Sequence, residues 1–131
     1  MMKFIDAALG HRRVTVKENQ RAIALYKGRI STILAPGEHV LKDRGRLEIE
    51  MHDLARPEFT SWYSLALLRD HPVLAQRHLT DVRTGTDEVA LVLRDGRLHA
   101  VLKPDERATY WTDAGPWTVE RIALGDDLEV P

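Results

Sequence analysis

The chain contains one segment twice. Residues 22–38 (AIALYKGRISTILAPGE) align without a gap on residues 90–106 (ALVLRDGRLHAVLKPDE), at a separation of 68 positions. Seven of these 17 positions are identical, and most apolar positions of one copy are apolar in the other. A pattern that recurs along a chain specifies a supersecondary unit that recurs in space, so the sequence predicts two similar units.

The match continues beyond the repeated segment. Residues 49–54 match residues 119–124 at a separation of 70. The change of separation from 68 to 70 predicts a two-residue insertion in the second copy, which we place near residues 113–116.

Each copy has the pattern of antiparallel β-structure. Apolar and polar residues alternate with the period of two that a half-buried strand requires. Lys27-Gly28 and Asp95-Gly96 separate the alternating runs. Such dipeptides predict two-residue hairpin turns in which both central residues have positive φ. On the return strand we expect Ile30 and Leu34 to share one face and Ile33 to lie on the other.

A second turn follows each return strand. Pro36-Gly37 predicts a type II turn, because proline presets φ and glycine permits positive φ, whereas Pro104-Asp105 predicts type I. The predicted structural turn residues are Gly28, Pro36, Gly37, Asp95, Gly96 and Pro104.

The segment between the copies has a different composition. Residues 59–79 (FTSWYSLALLRDHPVLAQRHL) are rich in Leu and Ala, with Ser61 as candidate N-cap and Pro72 as candidate first residue of a second helix. We expect two short helices whose apolar side packs against a sheet. A partner groove or a membrane face is the alternative for that side. Its residues are Trp62, Leu65, Leu68, Val73 and Leu74.

The predicted fold class is mainly β (α+β): two similar antiparallel β-meander units joined by a short helical spacer. Residues 1–11 form an N-terminal segment able to make a short helix, and residues 12–56 form the first β unit. Residues 57–79 are the helical spacer, and residues 80–131 the second β unit.

Composition excludes several function classes. With 44% hydrophobic and 30% charged residues, the chain belongs with folded rather than disordered proteins. A net charge of -1 provides no overall positive field, so nucleic acid is not a favoured partner. The absence of cysteine excludes disulfides and thiolate chemistry and fits a reducing compartment. Apolar residues 62–68 fall far short of the roughly 20 that span a bilayer, so no transmembrane segment is predicted.

Residues that could carry chemistry do not form a motif. The histidines lack the HExxH spacing of a zinc site, and Ser31, Ser61 and Ser64 lack a GxSxG context. The sequence therefore predicts no catalytic residue, no metal site and no cofactor. The six histidines are His11, His39, His52, His71, His78 and His99.

The sequence also contains two sets of charged residues with predicted interactions. Glu38 and Glu106 recur in the repeat and are expected to pair with Arg29 and Arg97 across the hairpins. A modest basic cluster beside Tyr26 offers a weak case for single-stranded nucleic acid. Its members are Arg12, Arg13, Lys17 and Arg21.

Residues 14–41 (VTVKENQRAIALYKGRISTILAPGEHVL) resemble the opening of the domain of slipins, a branch of the stomatin, prohibitin and flotillin superfamily. The resemblance comprises a strand, a polar turn at residues 17–20, a hydrophobic strand, a Gly-Arg hairpin and a Pro-Gly turn before a short strand. The whole chain is similar to the N-terminal part of bacterial slipin-like proteins, which carry a second, degenerate copy after a helical spacer ending in an Arg-His pair, here Arg77-His78.

The resemblance implies that these residues belong to a longer protein with a membrane hairpin and a heptad-bearing helix, neither of which the sequence contains. It implies a protein partner or self-association through the longer parent chain, with membrane contact only through regions outside this sequence. The expected location is cytoplasmic, and membrane-peripheral in the full-length protein. The expected function is a non-enzymatic protein-interaction and scaffold module. The alternative is a cytoplasmic small β-barrel module that binds a ligand or single-stranded nucleic acid.

Overall fold

The computed structural model describes residues 10–125, so the short helix expected within residues 1–11 lies largely outside the described residues. The predicted class is confirmed: antiparallel β-structure dominates, in two similar units with a short helical segment between them. The strands are β1 (His11–Val16), β2 (Gln20–Tyr26), β3 (Arg29–Leu34), β4 (Gly37–Lys42), β5 (Leu47–Asp53), β6 (Leu79–Arg83), β7 (Glu88–Arg94), β8 (Arg97–Leu102), β9 (Arg107–Trp111) and β10 (Trp117–Ala123). The helices are α1 (Ser64–Asp70) and α2 (Pro72–His78), with a 3-10 turn at Thr112–Ala114.

The chain divides into two compact units. Unit 1 comprises the described residues up to Arg56 together with Leu65–Leu74. Unit 2 comprises Pro57–Ser64 together with the described residues from Ala75 onward. The segment predicted as a helical spacer is therefore shared between the units, and its first residues belong to the β-structure of unit 2.

Both units have the same strand order. Unit 1 has a three-stranded sheet in the order β3-β2-β5 and a two-stranded sheet of β1 and β4. Unit 2 repeats this with β8-β7-β10 and with β6 and β9. The order is more specific than a simple meander, because the fourth strand of each unit pairs with the first strand and the fifth returns to the second.

Each unit has its own small apolar core. Inward-facing residues of the two sheets fill it, as the strand alternation predicted. In unit 1 the core cluster is Val14, Val16, Ala22, Ala24 and Leu34. In unit 2 it is Val82, Ala90, Val92, Leu102 and Tyr110.

The two hairpins confirm the predicted positive φ at both central residues, whereas Gly37 has φ of 134° as the first residue of β4 and not the roughly 80° of the predicted type II turn. Lys27 and Gly28 have φ of 55° and 75°, and Asp95 and Gly96 have φ of 51° and 78°. Positive φ at both central residues is the signature of the type I′ hairpin, whose twist matches that of the flanking strands.

A β-bulge in each unit corrects the predicted faces of the return strand. The register shifts between Ala24 and Leu25 in unit 1 and at the corresponding place in unit 2. Ser31 is the extra residue, since Thr32 pairs with Ala24 and Ile30 with Leu25. The extra residue puts Ile30 on the same face as Ile33 rather than with Leu34, because side chains alternate only while the ladder is regular.

The predicted insertion is divided between two turns. The residues of β9 lie 69 positions after the residues of β4 that make the corresponding pairs. The residues of β10 lie 70 positions after their counterparts in β5. One extra residue therefore lies in the turn before β9 and one in the turn after it. In the turn before β9, Asp105 has φ of 60°, which excludes the predicted type I geometry. The Glu106 carboxylate accepts a hydrogen bond from the amide of Lys103 instead of forming the predicted ion pair with Arg97.

The helices form as predicted, but their exposed side differs from the prediction. α1 ends at Asp70 and α2 begins at Pro72, and the Ser61 hydroxyl accepts the amide of Tyr63 at 3.1 Å. The buried residues are Leu67 and Ala75, whereas Trp62, Leu65 and Val73 are exposed. In two seven-residue helices with apolar residues on several sides, periodicity does not select the side that is buried.

No helix among the described residues is long and apolar enough to cross a membrane.

Candidate functional site

Unit 2 contains a cluster of polar and aromatic side chains at one end of its core. We call it the aromatic cluster: Glu58, His99, Tyr110 and Trp117. His99 Nε2 lies 2.7 Å from Glu58 Oε1, and its ring meets those of Tyr110 and Trp117 nearly edge-on, at centroid distances of 5.7 and 5.3 Å. Tyr110 and Trp117 are 4.4 Å apart. His99 is the bulge residue of β8, and bulges direct a side chain away from the regular alternation.

The Glu58 carboxylate reaches the aromatic cluster because its chain segment pairs with the edge of β9. The Phe59 amide donates to the Thr109 carbonyl at 2.8 Å, and the Trp111 amide donates to the Pro57 carbonyl at 2.9 Å. Glu58 itself forms a bridge with Tyr110. A short extended segment is thus added to the outer edge of β9 as an extra strand.

The electrostatics of the cluster favour an ionised carboxylate. Burial raises the pKa of Glu58, but the hydrogen bond and charge of His99 act against it, so the pKa lies below the 4.5 of an unperturbed glutamate. Burial, and then the negative charge of Glu58, raises the pKa of Tyr110 above 10.0. At neutral pH the cluster is a carboxylate held by an imidazole N–H beside a neutral phenol.

We expect stability to depend on pH through Glu58. A lowered pKa in the folded state contributes stability above the unfolded pKa, and this contribution is lost as pH falls through the folded value. Glu58→Gln should therefore reduce the loss of stability in urea unfolding between pH 7 and about pH 3, by less than about 1 kcal/mol because Glu58 is half-exposed. Glu120→Gln, at an exposed glutamate on β10, is the control. Equal pH dependence of Glu58→Gln and the wild-type protein would contradict the expectation.

Unit 1 has an open groove where unit 2 has the aromatic cluster. We call it the basic groove. Its volume is about 470 Å³. It contains two cationic residues and no carboxylate. Its lining residues are Ala24, Tyr26, Ser31, Leu41, Lys42, Arg44 and Leu47.

The repeat explains why this space is open. In the observed registers Ser31 corresponds to His99, and Leu41 corresponds to Tyr110. Leu47 corresponds to Trp117. Smaller side chains in unit 1 thus stand where an imidazole, a phenol and an indole fill unit 2. Neither site was predicted from the sequence, although the positions at which the aligned copies differ carry the signal for both.

The ion pairs of the two units occupy the same positions with opposite polarity. Glu38 Oε2 lies 3.2 Å from Arg13 Nη1, so its predicted pairing with Arg29 is wrong. At the corresponding positions of unit 2, Arg107 Nε and Nη2 donate to the two carboxylate oxygens of Asp81 at 2.9 and 3.0 Å. Each pair joins the first and fourth strands diagonally, a geometry that favours opposite charges of either polarity.

Two of the four residues in the predicted basic cluster near Tyr26 are engaged in other interactions, while Arg12 and Lys17 are exposed. Arg21 is buried, and its guanidinium donates to the Glu18 and Gln20 carbonyls. Arg13 binds Glu38. Among the described residues, no group of three or more His, Asp or Glu residues could hold a metal ion.

One face of unit 2 is less covered than its counterpart in unit 1. Ile30 and Ile33 are 7% and 5% exposed, whereas Leu98 and Val101 at the corresponding positions are 60% and 52% exposed. These residues share the face opposite the core, since Leu98 pairs with Leu93 and Val101 with Leu91. We call this the outer face of unit 2.

Comparison of the chain with protein-family models, curated proteins and solved structures finds no match.

Proposed function

We propose that the protein is a non-enzymatic protein-interaction and scaffold module. The observation that carries this proposal is the exposure of Leu98 and Val101 on the outer face of unit 2, at positions that are buried in unit 1. Contiguous exposed apolar residues are characteristic of surfaces that bind other proteins. The partner that we assign to this face is a second copy of the chain, because within residues 10–125 β8 is an edge strand of its sheet, and the apolar pair lies on that strand.

The proposed setting is the N-terminal region of a slipin-like, membrane-associated assembly. The slipin-like segment, residues 14–41, runs from within β1 to the penultimate residue of β4 in unit 1. In such an assembly the longer parent chain holds many copies together and raises their effective concentration. A weak contact between outer faces then suffices to set the arrangement of neighbouring copies.

The test is self-association of residues 1–131 in sedimentation velocity. We expect a monomer or weak dimer at micromolar concentration and a larger dimer fraction at hundreds of micromolar. The double variant Leu98→Lys/Val101→Lys should remain monomeric throughout, since two charges on the face would have to be desolvated on contact. Met51→Lys, at an exposed apolar residue of β5, should associate like the wild-type protein.

Two outcomes would contradict the proposal. One is a strictly monomeric wild-type protein at the highest concentration. The other is a double variant that dimerises as strongly as the wild-type protein while its circular dichroism spectrum is unchanged.

A further inference from the structure

We propose that the outer edge of β4 and the basic groove bind an extended acidic segment of a partner protein. The segment would add to β4 as an extra strand and place a carboxylate in the basic groove, whose lining includes Lys42 and Arg44. This site lies in unit 1 and does not depend on self-association through unit 2.

Unit 2 contains an intramolecular version of this complex. Phe59 and Pro57 bond to the main chain of Thr109 and Trp111, and Glu58 between them carries its carboxylate to His99. In the observed registers, the counterparts of Thr109 and Trp111 are Val40 and Lys42. Strand addition of this kind uses main-chain bonds for affinity and alternate side chains for specificity.

The main chain of β4 presents the groups that strand addition requires. The Asp43 amide donates to the Gly10 carbonyl at 2.7 Å, which makes Gly10 and Asp43 a hydrogen-bonded pair of the β1–β4 ladder. Hydrogen-bonded and non-hydrogen-bonded pairs alternate in an antiparallel ladder. Lys42 and Val40 therefore belong to non-bonded pairs, and their amides and carbonyls point outward. Outside the β1–β4 ladder, no main-chain hydrogen bond within residues 10–125 involves the Lys42 amide or the Val40 carbonyl.

Charge and size select the central side chain of the occupant. In unit 2 the central residue of the docked segment is Glu58, which lies opposite Tyr110. The counterpart of Tyr110 in unit 1 is Leu41, which lines the basic groove. Two cations with no carboxylate among the lining residues favour an anionic side chain, and the smaller unit-1 residues leave room for it. A strand edge of alternating amides and carbonyls pairs with a polypeptide but not with a phosphodiester chain. Tyr26 is moreover the single aromatic ring of the lining, so a peptide is favoured over nucleic acid.

The probe is a fluorescein-labelled peptide with the sequence of residues 55–61, ARPEFTS, which includes the segment that docks in unit 2. Binding is measured by fluorescence anisotropy and mapped by amide chemical shifts in NMR spectra of the labelled protein. We expect saturable binding with the largest shifts at residues 40–44. The same peptide with lysine in place of glutamate should bind about tenfold more weakly.

Two substitutions at one position separate the charge from the main-chain donor. Lys42→Ala removes the cation and keeps the amide, and should weaken binding several-fold. Lys42→Pro removes both, and should weaken binding by about a further fivefold through loss of one hydrogen bond. Proline is tolerated at an edge position whose amide points to solvent, so the β1–β4 ladder should persist. Lys17→Ala, at an exposed lysine before β2, should bind like the wild-type protein.

Three results would overturn the proposal. The first is no saturable binding of the glutamate-containing peptide to the wild-type protein. The second is equal affinity of the Ala and Pro variants together with shifts confined to residues 107–111, which would place the peptide on β9. The third is a single-stranded oligothymidylate that displaces the peptide and binds more tightly, which would assign the groove to nucleic acid. None of these results bears on dimerisation through Leu98 and Val101.

Discussion

Trp111→Ala is expected to lower the free energy of unfolding by about 3–5 kcal/mol, the range for truncation of a buried large aromatic residue. Trp111 is 1% exposed, and its ring meets that of Phe59 edge-on at a centroid distance of 5.1 Å. Its carbonyl also accepts the indole N–H of Trp117 at 2.9 Å. Truncation would leave a cavity where β9 meets the segment that carries Glu58, and urea unfolding measures the loss.

Trp62→Ala is the matched control for this prediction. Trp62 is 92% exposed, so its truncation removes little buried area and should change the free energy of unfolding by less than about 0.5 kcal/mol. Similar losses from the two substitutions would show that Trp111 is not buried against Phe59.

Gly96→Val is expected to destabilise the protein by about 1–3 kcal/mol. Gly96 has φ of 78° in the β7–β8 hairpin, and a β-branched side chain is strained in that conformation. No neighbouring atom lies within 4 Å of an added Cβ, so the loss would come from the backbone and not from crowding. Because Gly28 has nearly the same φ in the corresponding turn, Gly28→Val should cost a similar amount.

Gly85→Val separates backbone strain from the general effect of removing a glycine. An added Cβ at Gly85 also meets no atom within 4 Å, and its φ lies outside the left-handed region. Its substitution should leave the urea midpoint nearly unchanged. A Gly96→Val variant as stable as the wild-type protein would contradict the type I′ geometry of the hairpin.

The local features of the fold could be predicted from single segments of sequence. The two hairpins depend on two consecutive residues with positive φ, and the break between α1 and α2 depends on Pro72. The internal repeat also predicted the number of units, because two segments with the same apolar pattern bury the same faces of their strands. The hairpins and the break between the helices are each decided by residues within a few positions of one another.

The position of the insertion was predicted only in part. Alignment by identity placed Glu38 on Glu106, whereas the strand registers place Glu38 on Arg107. In unit 2, Thr84 stabilises the turn before β9 that contains the extra residue. Its hydroxyl accepts a hydrogen bond from the Glu106 amide at 2.9 Å and donates one to the Lys103 carbonyl. That bond joins residues distant in sequence, so the aligned letters carry no signal for it.

By itself the sequence determined the all-antiparallel units, their number, their hairpin turns and the two short helices, because these follow from local backbone preference and from periodicity. Only the tertiary structure decided which strand pairs with which, since β4 could in principle have continued from β3 instead of joining β1. It also decided the candidate sites. Glu58 meets His99 through pairing between distant segments, and the basic groove exists because smaller residues occupy the same spatial positions in unit 1. Such sites depend on long-range register, which a single β-bulge shifts by one residue and which periodicity does not reveal.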